Sequence, residues 1–195
     1  MSNGFIIENS GSVRIIRFSR PETRSPLSIT VLEGLHAEVD SVGNNAAVSG
    51  LIFTGVDDVF ASGADLREVA AVTAGTAREF ALRGQSLTTK ISLLRCETIA
   101  AVNGYCFGGA LDLALACKLR IAEPTGLFSH PGTGLGIITG WGGTQRLPRL
   151  IGEAAAVEMF FTGRRVTAQE ALELGLIDRI ADNALATATQ TILNG

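Results

Sequence analysis

Short apolar segments that alternate with longer helical patterns constrain the fold of this chain more than any other feature. The segments with strand character are 12–18, 50–55, 98–104, 119–123 and 176–180. Between them, apolar residues recur at three- and four-residue spacing in segments 29–42, 63–72, 77–95, 109–118, 153–163 and 167–175. Strands that alternate with helices predict an α/β architecture. Because neither a repeat nor a linker interrupts the pattern, we expect one domain over residues 1–195.

Composition and charge exclude several classes of function. The chain has 195 residues, which is enough to bury a core without covalent staples. The net charge is −3, and the basic residues are scattered, which argues against a nucleic-acid partner. The apolar stretch 98–117 is interrupted by Asn103 and Asp112, so we expect no membrane span. Three cysteines without framework spacing, no metal-ligand cluster and no leader pattern at the start favour a cytoplasmic protein with reduced thiols.

Glycines precede two of the predicted helices, in "FASGADL" (60–66) and "CFGGALD" (106–112). The first amides of a helix lack internal acceptors, and small residues allow a ligand oxygen to approach them. The amides of Ala64 and Gly109 could therefore polarise a carbonyl and stabilise an enolate or a tetrahedral oxyanion. The alternative is that Gly108 and Gly109 only relieve the turn between strand and helix.

Longer stretches carry a family resemblance. The segments "FASGADLREV", "IAAVNGYCFGGALDLALACKLRIAE" and "GWGGTQRLPRLIGEAAAVEMFFTGRRVTAQEALELGLIDRI" resemble the crotonase superfamily, which contains the enoyl-CoA hydratases and isomerases, in order and spacing. The resemblance implies a crotonase-like spiral of ββα units with a shortened C-terminal helical segment. It also implies an acyl-coenzyme A thioester as substrate, no separate cofactor, and Ala64 and Gly109 as the two oxyanion-hole positions. A homo-oligomer, a trimer or a hexamer, is the assembly it implies.

The chain departs from the family pattern at the two positions where hydratases carry glutamates. One is Asp112, three residues after Gly109, and the other is Gly132, counted back from "GGTQRL". Addition of water needs a base and an acid, each within hydrogen-bond reach of its proton. Glycine cannot transfer a proton, so we expect standard hydratase activity to be impaired.

Other side chains near these positions are candidates for the missing group. His130 lies two residues before Gly132, and an extended segment would place both on the same face. The alternative is a structural or surface histidine. Glu68 is a further candidate acid, with a solvent-exposed helix charge as its alternative. Thr133 and Thr139 are close in sequence but are poor bases.

Three further residues have two open interpretations each. Arg24 and Arg67 match neighbourhoods that meet the nucleotide part of coenzyme A in the family, and a guanidinium suits phosphate. Both could equally be solvated surface residues. Trp141 either forms a wall of the acyl pocket or packs in the core.

The functional hypothesis is an acyl-CoA-processing enzyme of the crotonase type. A single acidic group favours isomerisation or another enolate reaction over hydration. The alternatives are a catalytically impaired acyl-CoA-binding protein and a structural subunit that binds nothing.

Overall fold

The structure is a computed structural model that describes residues 4–195, and these residues form two main sheets surrounded by helices. The strands are β1 (Phe5–Ser10), β2 (Val13–Phe18), β3 (Pro26–Leu27), β4 (Gly50–Thr54), β5 (Val59–Ala61), β6 (Gly63–Ala64), β7 (Glu97–Val102), β8 (Tyr105–Phe107), β9 (Leu119–Ala122), β10 (Leu127–Ser129), β11 (Val166–Thr167) and β12 (Arg179–Ile180). The helices are α1 (Ile29–Gly43), α2 (Leu66–Ala70), α3 (Ala77–Leu93), α4 (Gly109–Ala116), α5 (Gly143–Ile151), α6 (Glu153–Thr162), α7 (Ala168–Glu173) and α8 (Ala184–Asn194). Short 3-10 helices occupy Pro21–Thr23 and Pro131–Leu135.

The larger sheet has the order β1-β2-β4-β7-β9-β12, and only its first pair is antiparallel. The smaller sheet has the order β11-β10-β8-β5, with an antiparallel pair only between β10 and β11. A third pair joins β3 to β6 in parallel.

The chain alternates between the two main sheets. The pairs β4 and β5, β7 and β8, and β9 and β10 each contribute one strand to the larger sheet and the next to the smaller sheet. Helix α4 follows the second of these pairs. Each turn of the chain therefore adds a strand to both sheets, which is a spiral of ββα units as predicted.

The larger sheet is covered on both faces. Along β7, Ala100 and Val102 point into the main core, whereas Ile99 and Ala101 join a second cluster beneath α8. Successive residues of a strand face opposite sides, so a strand buried on both faces is a continuous apolar run. That is the reason "TIAAVNG" predicts a strand without alternation of polar residues.

Most of the predicted elements are confirmed, and two segments differ. The helix predicted at 63–72 begins only at Leu66, because Asp65 is extended and its side chain accepts a hydrogen bond from the Arg67 N–H. Gly63–Ala64 is instead the strand β6. The final predicted strand, 176–180, is reduced to Arg179–Ile180. None of the described helices has the length and apolar content to cross a membrane.

Candidate active site

A cavity of about 420 Å³ opens between α2, α3, α4 and the segment 130–141. Its wall includes five of the positions that the sequence singled out, namely Ala64, Gly109, Asp112, His130 and Gly132. Much of the remaining wall is apolar, and Leu66, Phe80, Ile137, Ile138 and Phe160 contribute to it. The cavity therefore combines a few polar groups with a surface suited to an aliphatic chain.

Ala64 and Gly109 line the same cavity, and the backbone of Gly63, next to Ala64, packs against Gly109. Gly63 has φ +89°, and a Cβ on it would lie 2.6 Å from the Gly109 nitrogen and 2.7 Å from the Phe107 carbonyl oxygen. Only glycine allows both this conformation and this approach. Gly109 is the first residue of α4, so its N–H lacks an acceptor within the helix.

Asn103 and Gly104 connect the strand β7 to the strand β8 of the smaller sheet, and β8 leads to Gly109. The Asn103 side chain accepts from the Gly55 N–H at 2.9 Å and donates to the carbonyl oxygens of Asp57 and Val59 at 2.9 and 3.2 Å. A Cβ on Gly104 would overlap the Asp58 carbonyl. The "NG" pair therefore joins the loop before β5 to the loop before β8, the strand that leads to Gly109.

Asp112 lies one turn into α4 and is fully buried. Its Oδ2 accepts hydrogen bonds from the Thr139 hydroxyl and, at 3.2 Å, from the Trp141 N–H. Its Oδ1 has no hydrogen-bond partner among the described residues. One oxygen thus orients the carboxylate, and the other keeps an unused acceptor position.

His130 is also buried, with its Nε2 3.7 Å from the Asp112 Oδ1. Its ring packs against Phe160, and neither ring nitrogen has a hydrogen-bond partner in the described part of the chain. The premise that His130 and Gly132 share one extended segment is wrong, because a 3-10 helix begins at Pro131. His130 lines the cavity at the residue that directly precedes that turn.

Burial shifts the pKa of Asp112 and the pKa of His130 in opposite directions, because it disfavours the charged form of each side chain. Loss of water raises the pKa of Asp112 to about 6, an effect that the hydrogen bonds from Thr139 and Trp141 partly offset. Burial lowers the pKa of His130 to about 4. At neutral pH the pair is therefore a carboxylate beside a neutral imidazole.

Gly132 lines the cavity and brings no functional group to it. A Cβ on it would lie 2.9 Å from the Ile137 carbonyl oxygen. A longer side chain here would require the backbone of segment 132–137 to shift. The cavity therefore has a single carboxylate, Asp112, among the residues that line it.

Comparisons with known proteins agree with this architecture. The family model for enoyl-CoA hydratase/isomerase matches residues 8–192. The chain belongs to this family.

Relatives and solved structures match most of the length of this chain. The short-chain-enoyl-CoA hydratase of Clostridium acetobutylicum is 34% identical over 181 residues, which are 92% of this chain and 69% of the relative. The crotonyl-CoA hydratase of Syntrophomonas wolfei is 37% identical over 176 residues, 90% of this chain and 68% of the relative. The crystal structure of an enoyl-CoA hydratase from Bacillus anthracis superposes with a TM-score of 0.92 at 33% identity, covering 98% of this chain and 76% of that one. The crotonase fold implied by the sequence is confirmed.

Within this enoyl-CoA hydratase/isomerase family member, the structure assigns Glu68 a contact that the sequence did not suggest. Its carboxylate accepts from the Ile29 N–H at 2.8 Å and so caps the first turn of α1. Glu68 does not line the cavity. Thr139, considered only as a poor base, instead holds Asp112 through its hydroxyl.

The two candidate coenzyme A residues of the family member lie outside the cavity wall. Arg24 has φ +62°, and its guanidinium lies 5.5 Å from the centre of the Tyr105 ring. Its carbonyl oxygen accepts a hydrogen bond from the N–H of Ser62, which lines the cavity. Arg67 is exposed and forms an ion pair with Asp65 at 2.8 Å. Arg24 is thus tied by its main chain to the strand that leads to Ala64.

Proposed function

We propose that the protein processes acyl-coenzyme A thioesters by forming an enolate. The thioester carbonyl oxygen accepts hydrogen bonds from the N–H groups of Ala64 and Gly109. Asp112 removes a proton from the α-carbon, and the electron pair moves onto the carbonyl oxygen. Amides fixed before the reaction stabilise that developing charge without reorganisation.

The observation that carries this proposal is the position of the Asp112 carboxylate. It is buried, it has one oxygen without a partner, and it lines the same cavity as Ala64 and Gly109. A base poised near neutral pH suits general acid–base catalysis, and the pKa of about 6 places Asp112 there. The pair of amides and the carboxylate are the groups that proton abstraction beside a carbonyl needs.

The single carboxylate favours isomerisation or another enolate reaction over hydration. In hydration a second group must handle the proton of the added water, and Gly132 cannot do so. We propose that His130 serves as the second polar group, through its contact with Asp112 and its unpartnered nitrogens. Its imidazole can relay a proton through a water molecule without becoming permanently charged.

The surroundings of the cavity favour a thioester of coenzyme A rather than a small polar substrate. Apolar side chains at the opening, among them Leu66 and Ile138, are more than half exposed and could cover an acyl chain. We propose that Arg24 and Arg67 contact the nucleotide part of coenzyme A. Loss of either guanidinium should weaken binding of acyl-CoA and leave binding of the acyl-pantetheine thioester unchanged.

The decisive experiment measures exchange of the α-proton. The protein is incubated with a saturated acyl-CoA in deuterated water, and deuterium incorporation is followed by mass spectrometry. We expect exchange with the wild type and its loss, by roughly 10²–10⁴-fold, in Asp112→Asn. Asp182→Asn, on an exposed loop before α8, is the matched control and should exchange at the wild-type rate.

A second candidate, an acyl-CoA-binding protein without turnover, is favoured by the absence of a side chain at Gly132. It predicts saturable binding of the same thioesters with no deuterium incorporation. A structural subunit would show neither binding nor exchange.

We also propose that the protein self-associates as a trimer or a hexamer. On α6, Val157 and Phe161 are one turn apart and 51% and 79% exposed. Apolar side chains of this size favour a covered face.

A further inference from the structure

The indole of Trp141 lies between two glycines that belong to different helices. A Cβ on Gly84, in the middle of α3, would overlap the five-membered ring at Cγ, Cδ1 and Cδ2. A Cβ on Gly109, at the start of α4, would overlap the six-membered ring at Cζ3 and Cε3. The Trp141 side chain is 4% exposed. We call this arrangement, Gly84–Trp141–Gly109, the indole stack.

The two glycines are present because the ring occupies the space that side chains would need. Gly84 is unfavourable for the helix that contains it, since glycine in a helix interior destabilises relative to alanine. From the sequence alone it is only a weak point of α3. The structure supplies the compensating contact, which is the face of the indole.

The main chain of Trp141 forms three hydrogen bonds to side chains. Its carbonyl oxygen accepts from the Thr88 hydroxyl at 2.8 Å and from the Arg146 Nη1 at 3.3 Å. Its N–H donates to the Asp112 Oδ2 at 3.2 Å. The ring therefore contacts Gly109, and the backbone of the same residue holds Asp112.

Gly143, two residues after Trp141, also packs against Asp112. A Cβ on Gly143 would overlap the Asp112 Oδ1, the buried oxygen that has no hydrogen-bond partner among the described residues. The "GWGG" segment thus packs one indole and one bare backbone against the start of α4. No other tryptophan occurs in the chain.

We propose that Trp141 is a positioning residue that fixes the separation between the Gly109 N–H and the Asp112 carboxylate. The ring prevents the first turn of α4 from moving toward α3, and the Trp141 N–H prevents the carboxylate from rotating. This inference rests on the proposed enolate chemistry, in which Gly109 holds the oxygen and Asp112 removes the proton. Misplacement of a reacting group by about 1 Å can cost 10²-fold in rate.

The test uses a residue that does not line the cavity. Gly84→Ala adds one methyl group against the indole and should push it toward Gly109. We expect kcat for α-proton exchange to fall by about 10- to 100-fold, with KM changing less than kcat. Gly134→Ala is the matched control, because nothing lies within 4 Å of its added Cβ and Gly134 does not line the cavity.

A compensating variant separates positioning from general damage. Trp141→Phe in the Gly84→Ala background replaces the indole by a smaller ring and should recover part of the lost kcat. Intrinsic fluorescence of the single tryptophan should report a shifted environment in Gly84→Ala and an unchanged one in Gly134→Ala. If Gly84→Ala does not fold, Trp141→Phe alone is compared with the wild type, and a reduced kcat with retained KM is expected.

The outcomes distinguish this inference from the proposed function. Absence of exchange in the wild type refutes the proposed function itself. Normal wild-type exchange together with an unchanged kcat in folded Gly84→Ala, or in folded Trp141→Phe where only that variant is available, overturns the role of Trp141 alone. A reduced kcat in Gly84→Ala that the added Trp141→Phe substitution leaves unrecovered also overturns it.

Discussion

At the scale of single residues, the proposed chemistry depends on one buried carboxylate. Asp112 has a pKa near 6 because burial penalises its charged form. Thr139 and Trp141 occupy only one of its oxygens. The carboxylate is therefore mostly ionised at neutral pH, and its pKa is raised toward the range that suits a general base.

The pH dependence of exchange follows from this pKa. Asp112 must be ionised to act as a base, so the rate should rise with pH and level off above about 7, with an apparent pKa of about 6. His130, with a pKa of about 4, stays neutral over this range and adds no second limb. The pH profile of kcat/KM between pH 5 and 8 tests this apparent pKa. A value near 4 would show that burial does not raise the pKa of Asp112.

The same shift has a defined effect on stability. The pKa of Asp112 is higher in the folded protein than its ordinary value of 3.8, so the folded state binds this proton more tightly. Stability should therefore decrease as pH rises from about 4 to 6. Asp112→Asn cannot ionise at this position, so its melting temperature should lack this decrease between about pH 4 and 6 when both proteins are compared at matched pH values.

At the scale of elements, the site depends on the contact between the strand β6 and the start of α4. A Cβ on Gly63 would press on the Gly109 nitrogen, and φ +89° is already unfavourable for alanine. We expect Gly63→Ala to reduce kcat/KM for exchange by up to about 10²–10³-fold, as for loss of one oxyanion donor.

The control for this prediction separates backbone strain from displacement of the amide. Gly152 has a similar φ of +82°, lies between α5 and α6, and has nothing within 4 Å of an added Cβ. Gly152→Ala should lower the melting temperature while kcat/KM stays at the wild-type value. Equal losses of activity in both variants would contradict the role of the β6–α4 contact.

Sequence periodicity predicted the elements that carry long apolar repeats and missed those defined by tertiary contact. The helix α1 was predictable from Ser28 and the spacing of Leu32 and Leu35, which are buried as expected. The strands β6, β8 and β10 have two or three residues each, too few for a period to be visible. The helix α5 was also missed, because glycines precede it and Pro148 lies inside it.

The candidate site was predictable where backbone chemistry leaves a trace in the sequence. Gly108 and Gly109, together with the resemblance, indicated the start of α4 and the carboxylate one turn later. The roles of Gly84 and Thr139 were not predictable, because each depends on a partner more than 25 residues away in the chain. Long-range contacts of this kind leave no local pattern.

At the scale of the whole molecule, the proposed self-association rests on the exposed apolar side chains of α6. We expect light scattering to give about three or six times the chain mass of 20.4 kDa. Phe161→Glu places a charge on the proposed contact and should shift the protein toward the monomer. Its control, Glu173→Gln on α7, should leave the mass unchanged, and a monomeric wild type would contradict the proposed assembly.

The proposed chemistry requires two main-chain amides, 45 residues apart, to hold one thioester oxygen. The most direct measurement is a crystal structure of the Asp112→Asn variant with a bound saturated acyl-CoA, in which turnover is prevented. We expect a carbonyl oxygen within about 2.7–3.1 Å of the nitrogens of both Ala64 and Gly109, with the α-carbon facing residue 112. A bound thioester whose oxygen contacts only one of these nitrogens, or neither, would contradict it.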